Sequence, residues 1–266
     1  MNACLVIPRR YFMPFGQAGI STILINYLLP LFTVLLIWAP QIVNAGSFSV
    51  TPLRIDLSKA ESTRVINLHN LESKPVTVQL QILSWSHKDG TDQLMPTRDI
   101  IVTPQIFHLK ANSLQIIRAG LLRKPDTNEE LSYRLIIEEI PEPPSAEFTG
   151  AQLALKLNLP VFVAPEHTSK SQLEFQSHVQ ADGKLKLRIV NLGKVHTKIQ
   201  KFVIFAEGKA DKILAKHDKS LYVLPGQARN LTLKTEAHVF YDSDKLIVRA
   251  TSSNESMDFY ASAGPP

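Results

Sequence analysis

Between Leu153 and Leu159 leucine occupies every second position, with alanine, lysine and asparagine in the gaps, and the run continues into Pro-Val-Phe-Val-Ala-Pro165. A strand turns successive side chains to opposite faces. A period of two therefore sets Leu153, Leu155, Leu157 and Leu159 in one row, about 6.6–7 Å apart. Leucine is a helix former, so the spacing and not the propensity predicts a strand. Two destinations suit such a row. It is either the inward face of an ordinary sandwich strand or an apolar ladder offered to a partner's groove by strand addition.

The same period runs through the chain from Phe48 onward. Phe48–Leu57, Arg64–Asn70 and Val76–Trp85 alternate, and Lys88-Asp-Gly90 marks a turn after them. Ile100–Phe107, Gln115–Ala119 and Ser132–Ile140 supply further short strands before the leucine ladder. The proline-rich Pro141–Gly150 reads as an exposed connection, and Pro165–Lys170 as an interdomain linker. A second series follows at Leu173–Val179, Leu185–Asn191, Lys198–Ala206, Ser220–Leu224, Ala228–Lys234 and Leu246–Ala250, punctuated by Asp182-Gly183 and Pro225-Gly226. No amphipathic helical period interrupts them. The pattern predicts an all-β protein of two tandem immunoglobulin-like β-sandwich domains, over residues 46–165 and 166–266.

The first 45 residues read differently. Arg9 and Arg10 are the only charges before Arg54, the run from Ile23 to Trp38 is apolar, and Val43-Asn-Ala45 offers small residues for cleavage. Residues 1–45 are expected to be a signal peptide, leaving no integral membrane span after cleavage. Cys4, the single cysteine, lies inside that segment. The exported part then has neither disulfide nor thiolate, and two domains of about 100 residues hold together by their apolar cores. Loss of the two arginines reduces the formal net charge of +5 to a mild surplus. No basic run interleaved with aromatics occurs, so no nucleic-acid partner is expected.

Chemistry-bearing constellations are absent. The eight histidines show no His-x-His or His-x-x-x-His spacing. There is no Gly-x-Ser-x-Gly elbow, phosphate-cradling loop or dinucleotide fingerprint. Glu138 and Glu139 are adjacent, and neighbours on a strand point to opposite faces. Neither enzymatic activity nor any cofactor or metal is expected. Arg54 stands apart as the single arginine in the first strand, and its forked donors suit recognition of a carboxylate.

Taken in order, Thr51-Pro-Leu-Arg54, Thr103-Pro-Gln-Ile-Phe-His-Leu109, Ser113–Ala119, Ser132-Tyr-Arg-Leu-Ile-Ile-Glu-Glu-Ile-Pro141, Leu159–Pro165 and Tyr222–Arg229 resemble the periplasmic pilus-assembly chaperones of the PapD-like, chaperone–usher type. The resemblance implies a periplasmic chaperone that lends its leucine strand to pilin subunits lacking their last strand. It would then deliver them to an outer-membrane usher. Leu153, Leu155, Leu157 and Leu159 would enter the subunit groove, where parity makes register matter. Arg54 matches the first of two basic residues that hold the subunit's terminal carboxylate. The family's second, a lysine, falls on Pro160, and Lys156 is the substitute on the same strand face. Glu130 matches one member of an interdomain salt-bridge network, whose arginine partner falls on Ala164. These departures and the missing cysteines suggest the archaic (sigma-type) branch. The competing reading is a structural pilus subunit or an exported adhesin built from the same sandwiches. A subunit would need an N-terminal donor arm, and Gly46-Ser-Phe48 leads almost straight into a strand.

Overall fold

Alternating apolar and polar positions become strands throughout, and no helix occurs among the residues described by this computed structural model: 48–141, 143, 153–180, 182–207, 212–235, 245–252 and 255–263. The expected leader and most of the Pro141–Gly150 connection lie outside them. In chain order the first strands are β1 (Phe48–Thr51), β2 (Ile55–Leu57), β3 (Thr63–Asn70), β4 (Val76–Lys88) and β5 (Thr91–Pro96). Then come β6 (Ile100–Thr103), β7 (Ile106–Leu109), β8 (Leu114–Leu121), β9 (Leu131–Ile140) and β10 (Lys156–Val163). One sheet has the order β1-β3-β8-β6, and the facing sheet the order β2-β10-β9-β4-β5, with β7 also on β4. Ile66, Leu68, Ile117 and Ala119 from the first meet Leu80, Leu135, Ile137 and Val161 from the second in one core.

The second sandwich follows with β11 (Leu173–Val179), β12 (Leu185–Asn191), β13 (Thr197–Ile199), β14 (Lys201–Ala206) and β15 (Ile213–His217). It ends with β16 (Leu221–Val223), β17 (Ala228–Leu233), β18 (Leu246–Ser252) and β19 (Glu255–Ala263). A seven-stranded sheet runs β15-β14-β18-β19-β11-β12-β17, with β13-β16 as a separate pair. Its own core gathers Phe175, Leu187, Ile189, Phe202, Ile204 and Val248.

Both sandwiches use one device where a strand turns. Asn70 and Asn191 are fully buried at strand ends. Each donates its amide to the carbonyl four residues on, Lys74 and Val195, at 2.8 Å. Each accepts from the main-chain N–H two residues on, at Glu72 and Gly193. A buried amide is tolerable only with such partners.

Three departures from the sequence reading have physical causes. Phe48–Leu57 is two strands, not one. Pro52 has no N–H to continue the ladder, and the chain leaves β3 at Thr51 to join β10 at Ile55. Strand β5 went unread because Thr91, Asp92 and Gln93 open it, β15 because Ile-Leu-Ala-Lys-His is too short to show a period, and β19 because its sequence, Glu-Ser-Met-Asp-Phe-Tyr-Ala-Ser-Ala, has little apolar alternation.

Candidate functional site

Strand β10 is covered unequally on its two edges. Antiparallel β9 pairs with all of it, from Lys156 opposite Glu138 to Val163 opposite Leu131. On the other edge parallel β2 pairs only with Val161–Val163. Two main-chain bonds fix which residues face which edge: Glu139 N–H donates to Leu155 O, and Ala164 N–H donates to Leu57 O, both 2.9 Å. Even-numbered residues therefore turn their main-chain groups toward the β2 side, where Lys156 and Asn158 meet no strand among the described residues. Pro160 lacks the N–H that this edge would otherwise leave bare, the usual tolerance of proline at a sheet edge.

The leucine row grades from solvent into the core. Leu153 is 89% exposed, ahead of the strand. Leu155 is half-buried, and Leu157 packs against the first sandwich's core. Leu159 is only 6% exposed and belongs to that core, sharing a face with the buried Val161 and Val163. The expectation that all four leucines leave the sandwich needs correction at Leu159, whose register partner Leu135 is itself fully buried.

Arg54 immediately precedes Ile55, the first β2 residue to pair with β10, so it sits where the bare edge begins. Its Nε donates to Asp56 Oδ2 at 2.9 Å, and both side chains are about half exposed. A crevice of about 550 Å³ beside it is lined by Pro52, Arg54, Asp56 and Arg64 among others. Arg64 Nε donates to the Asp56 carbonyl at 2.9 Å and its guanidinium pairs with Glu61. Lys156 is not brought to this place. It pairs with Glu138 at 3.0 Å, four residues up β10 from Pro160, or about 13 Å along the strand.

A different cation lies nearer. Arg134 on β9 is the register partner of Pro160, and its guanidinium carbon sits 3.5 Å from the centroid of the Trp85 ring. No ion pair joins it to a carboxylate among the described residues. Burial pushes its pKa downward, though a guanidinium stays charged at any relevant pH. The sequence signal was a lone charge inside Ser132-Tyr-Arg-Leu-Ile-Ile137, an otherwise apolar run.

Beyond Arg134 the sheet's outer face meets the second sandwich. Trp85, Phe162 and Leu224 form a small separate core, with Tyr222 and Leu94 against it. Phe162 stacks on His196 at 3.6 Å and nearly parallel. Glu130, whose expected arginine partner is absent at Ala164, is met instead by His196. Its Oε1 accepts the His196 main-chain N–H at 3.0 Å and lies 2.7 Å from Nδ1. Glu129 pairs with Lys194 alongside. No cluster of three or more metal-ligating side chains occurs among the described residues.

Residues 47–169 match the family model of the pili and flagellar-assembly chaperone, PapD N-terminal domain. No curated protein matches the chain. Among solved structures, a chain of the CsuC–CsuE chaperone–tip adhesion subunit pre-assembly complex, from the archaic chaperone-usher Csu pili of Acinetobacter baumannii, aligns over 82% of this chain and 100% of its own, with 18% identity and a TM-score of 0.61. The Salmonella enterica SafA pilin–SafB chaperone complex aligns over 84% and 98%, with 16% identity and a TM-score of 0.56. The CupB2 chaperone of Pseudomonas aeruginosa aligns over 81% and 100%, with 14% identity and a TM-score of 0.51. At these identities the structures establish the two-sandwich fold, and the family model covers the sandwich that carries the bare strand edge. Residues 47–169, the sandwich with the bare strand edge, are thus a PapD N-terminal domain of the pili and flagellar-assembly chaperone type.

Proposed function

We propose that the chain is a non-enzymatic periplasmic chaperone of the archaic branch, which captures pilin subunits by donor-strand complementation and hands them to an outer-membrane usher. Residues 1–45 serve as its export leader, and residues 46–165 and 166–266 as its two domains. The observation that carries the reading is the bare edge of β10 ending at Arg54. A subunit strand laid on that edge in line with β2 runs parallel to β10. Its last residue then arrives at Arg54, which trades the Asp56 carboxylate for the subunit's own terminal carboxylate. Arg134 supplies a second positive charge across β10, closer than Lys156.

Main-chain groups of Lys156 and Asn158 bond the arriving strand, as in other strand additions. Leu153, Leu155 and the open side of Leu157 fill its groove, each contributing roughly 1.5–3 kcal/mol gross when fully buried. Association and ordering offset much of this. The deciding experiment is co-expression with a pilin subunit and co-purification of the pair. Arg54→Ala should lower recovery roughly tenfold with folding intact. Undiminished recovery in that variant would overturn the carboxylate assignment.

A further inference from the structure

The two sandwiches are joined by titratable groups. At the centre of the joint His87 of β4 has a side chain only 1% exposed, with Nδ1 3.0 Å from Asp92 Oδ1 on β5. That same oxygen accepts Trp85 Nε1 at 3.0 Å and Arg229 Nη1, from β17 of the second sandwich, at 2.7 Å. Arg229 Nη1 in turn lies 3.4 Å from His87 Nδ1. One carboxylate oxygen thus serves an indole, an imidazole and a guanidinium at once. The His87 main-chain N–H donates to Gln227 Oε1, again across the joint.

The fit is close. At Gly90, the turn between β4 and β5, an added Cβ would fall 2.6 Å from the Asn230 nitrogen on β17. The joint is also incompletely satisfied: Ser132 Oγ, Thr197 Oγ1 and Arg229 Nε are buried without a hydrogen-bond partner. Buried polar atoms without partners weaken the contact they lie in.

We propose that this joint is a proton-operated hinge, in which charging His87 releases the β4–β5 hairpin from β17 and loosens the angle between the sandwiches. A proton on His87 sets a second cation against Arg229, with Arg134 a third across Trp85 and, among the described residues, Asp92 alone to offset them. Lys88 and Asp89 flank at the surface, and Tyr222 presents its main chain. Burial first, then the Arg229 charge, pushes His87 down to about 4 from its ordinary 6.5, against the opposing pull of Asp92. A group held below its unfolded value stabilises the closed joint above that value. The stabilisation is lost as pH falls from 6.5 toward 4. A second histidine pair, His196 with Glu130, joins the two sandwiches beside Glu129 and Lys194.

The test needs no subunit, so it stands or falls apart from the chaperone reading. Apart from Trp38 in the expected leader, Trp85 is the only tryptophan, so in a Trp38→Phe background its emission reports the joint alone. Between pH 7.5 and 4, Trp85 emission should shift to the red and the radius of gyration from X-ray scattering should rise, while far-UV circular dichroism stays constant. His87→Gln, which cannot be charged, should abolish both changes or move them down by about one pH unit or more. His196→Gln should leave them in place. A wild type unchanged down to pH 4, or a transition untouched by His87→Gln, overturns the hinge, as does a transition abolished by His196→Gln alone.

Discussion

Arg134 and Pro160 stand directly opposite each other on β9 and β10, so the cation over Trp85 occupies the strand position beside the one where the family resemblance implies a second anchor. A cation can reach the same cleft from a neighbouring strand. Arg134→Ala should weaken subunit capture several-fold, and Arg54→Ala with Arg134→Ala more than either alone. Lys156→Ala, which breaks only an exposed pair with Glu138, should matter less. Quantitative co-purification of all four forms ranks them, and Lys156→Ala as the most damaging would reverse the assignment.

Main-chain pairing on the bare edge is separable from side-chain burial. Asn158 turns its N–H to the open side, so Asn158→Pro removes a donor meant for a partner while sparing the bonds to β9. Thermal melting of the purified chain should change little. Capture of a subunit should fall by tenfold or more, since proline also obstructs close approach of a strand.

The leucines divide by depth. Leu159→Ala empties a core site and should cost about 2–5 kcal/mol of stability. Leu155→Ala should leave melting nearly unchanged and reduce subunit recovery. Leu157→Ala falls between, since it already packs on the core. Equal loss of stability along the row would mean that the ladder serves only its own sandwich.

Export should remove the first segment. N-terminal sequencing of protein from the periplasmic fraction is expected to begin at or near Gly46, with no intact leader among membranes.

The strand content and the two-sandwich class were legible because period-two alternation survives in strands such as β3, β4 and β12. What escaped reading depends on distance in sequence. Nothing local to Phe48–Leu57 says that its second half pairs with residues over a hundred positions later. Nothing local to Leu159 says that the row enters the core two residues before Val161. His87 and His196 looked like scattered histidines because their partners, Arg229 on one side and Glu130 on the other, come from the opposite sandwich. Arg134 was visible as an anomalous charge, yet only the register with Pro160 gives it a place.

The shortness of β2 has a further consequence. Its three residues act as a ruler laid against β10 from the far end. Each additional pair would seal another residue, about 3.3 Å of open edge. The first residue so recruited would be Arg54 itself, flattened into the ladder and lost to its proposed role of binding a subunit's terminus. Extending the seal thus removes docking length and docking charge together. Drift toward a tidier, fully paired sheet would be a drift toward an ordinary sandwich, and Pro52, two residues upstream, limits how far it can go.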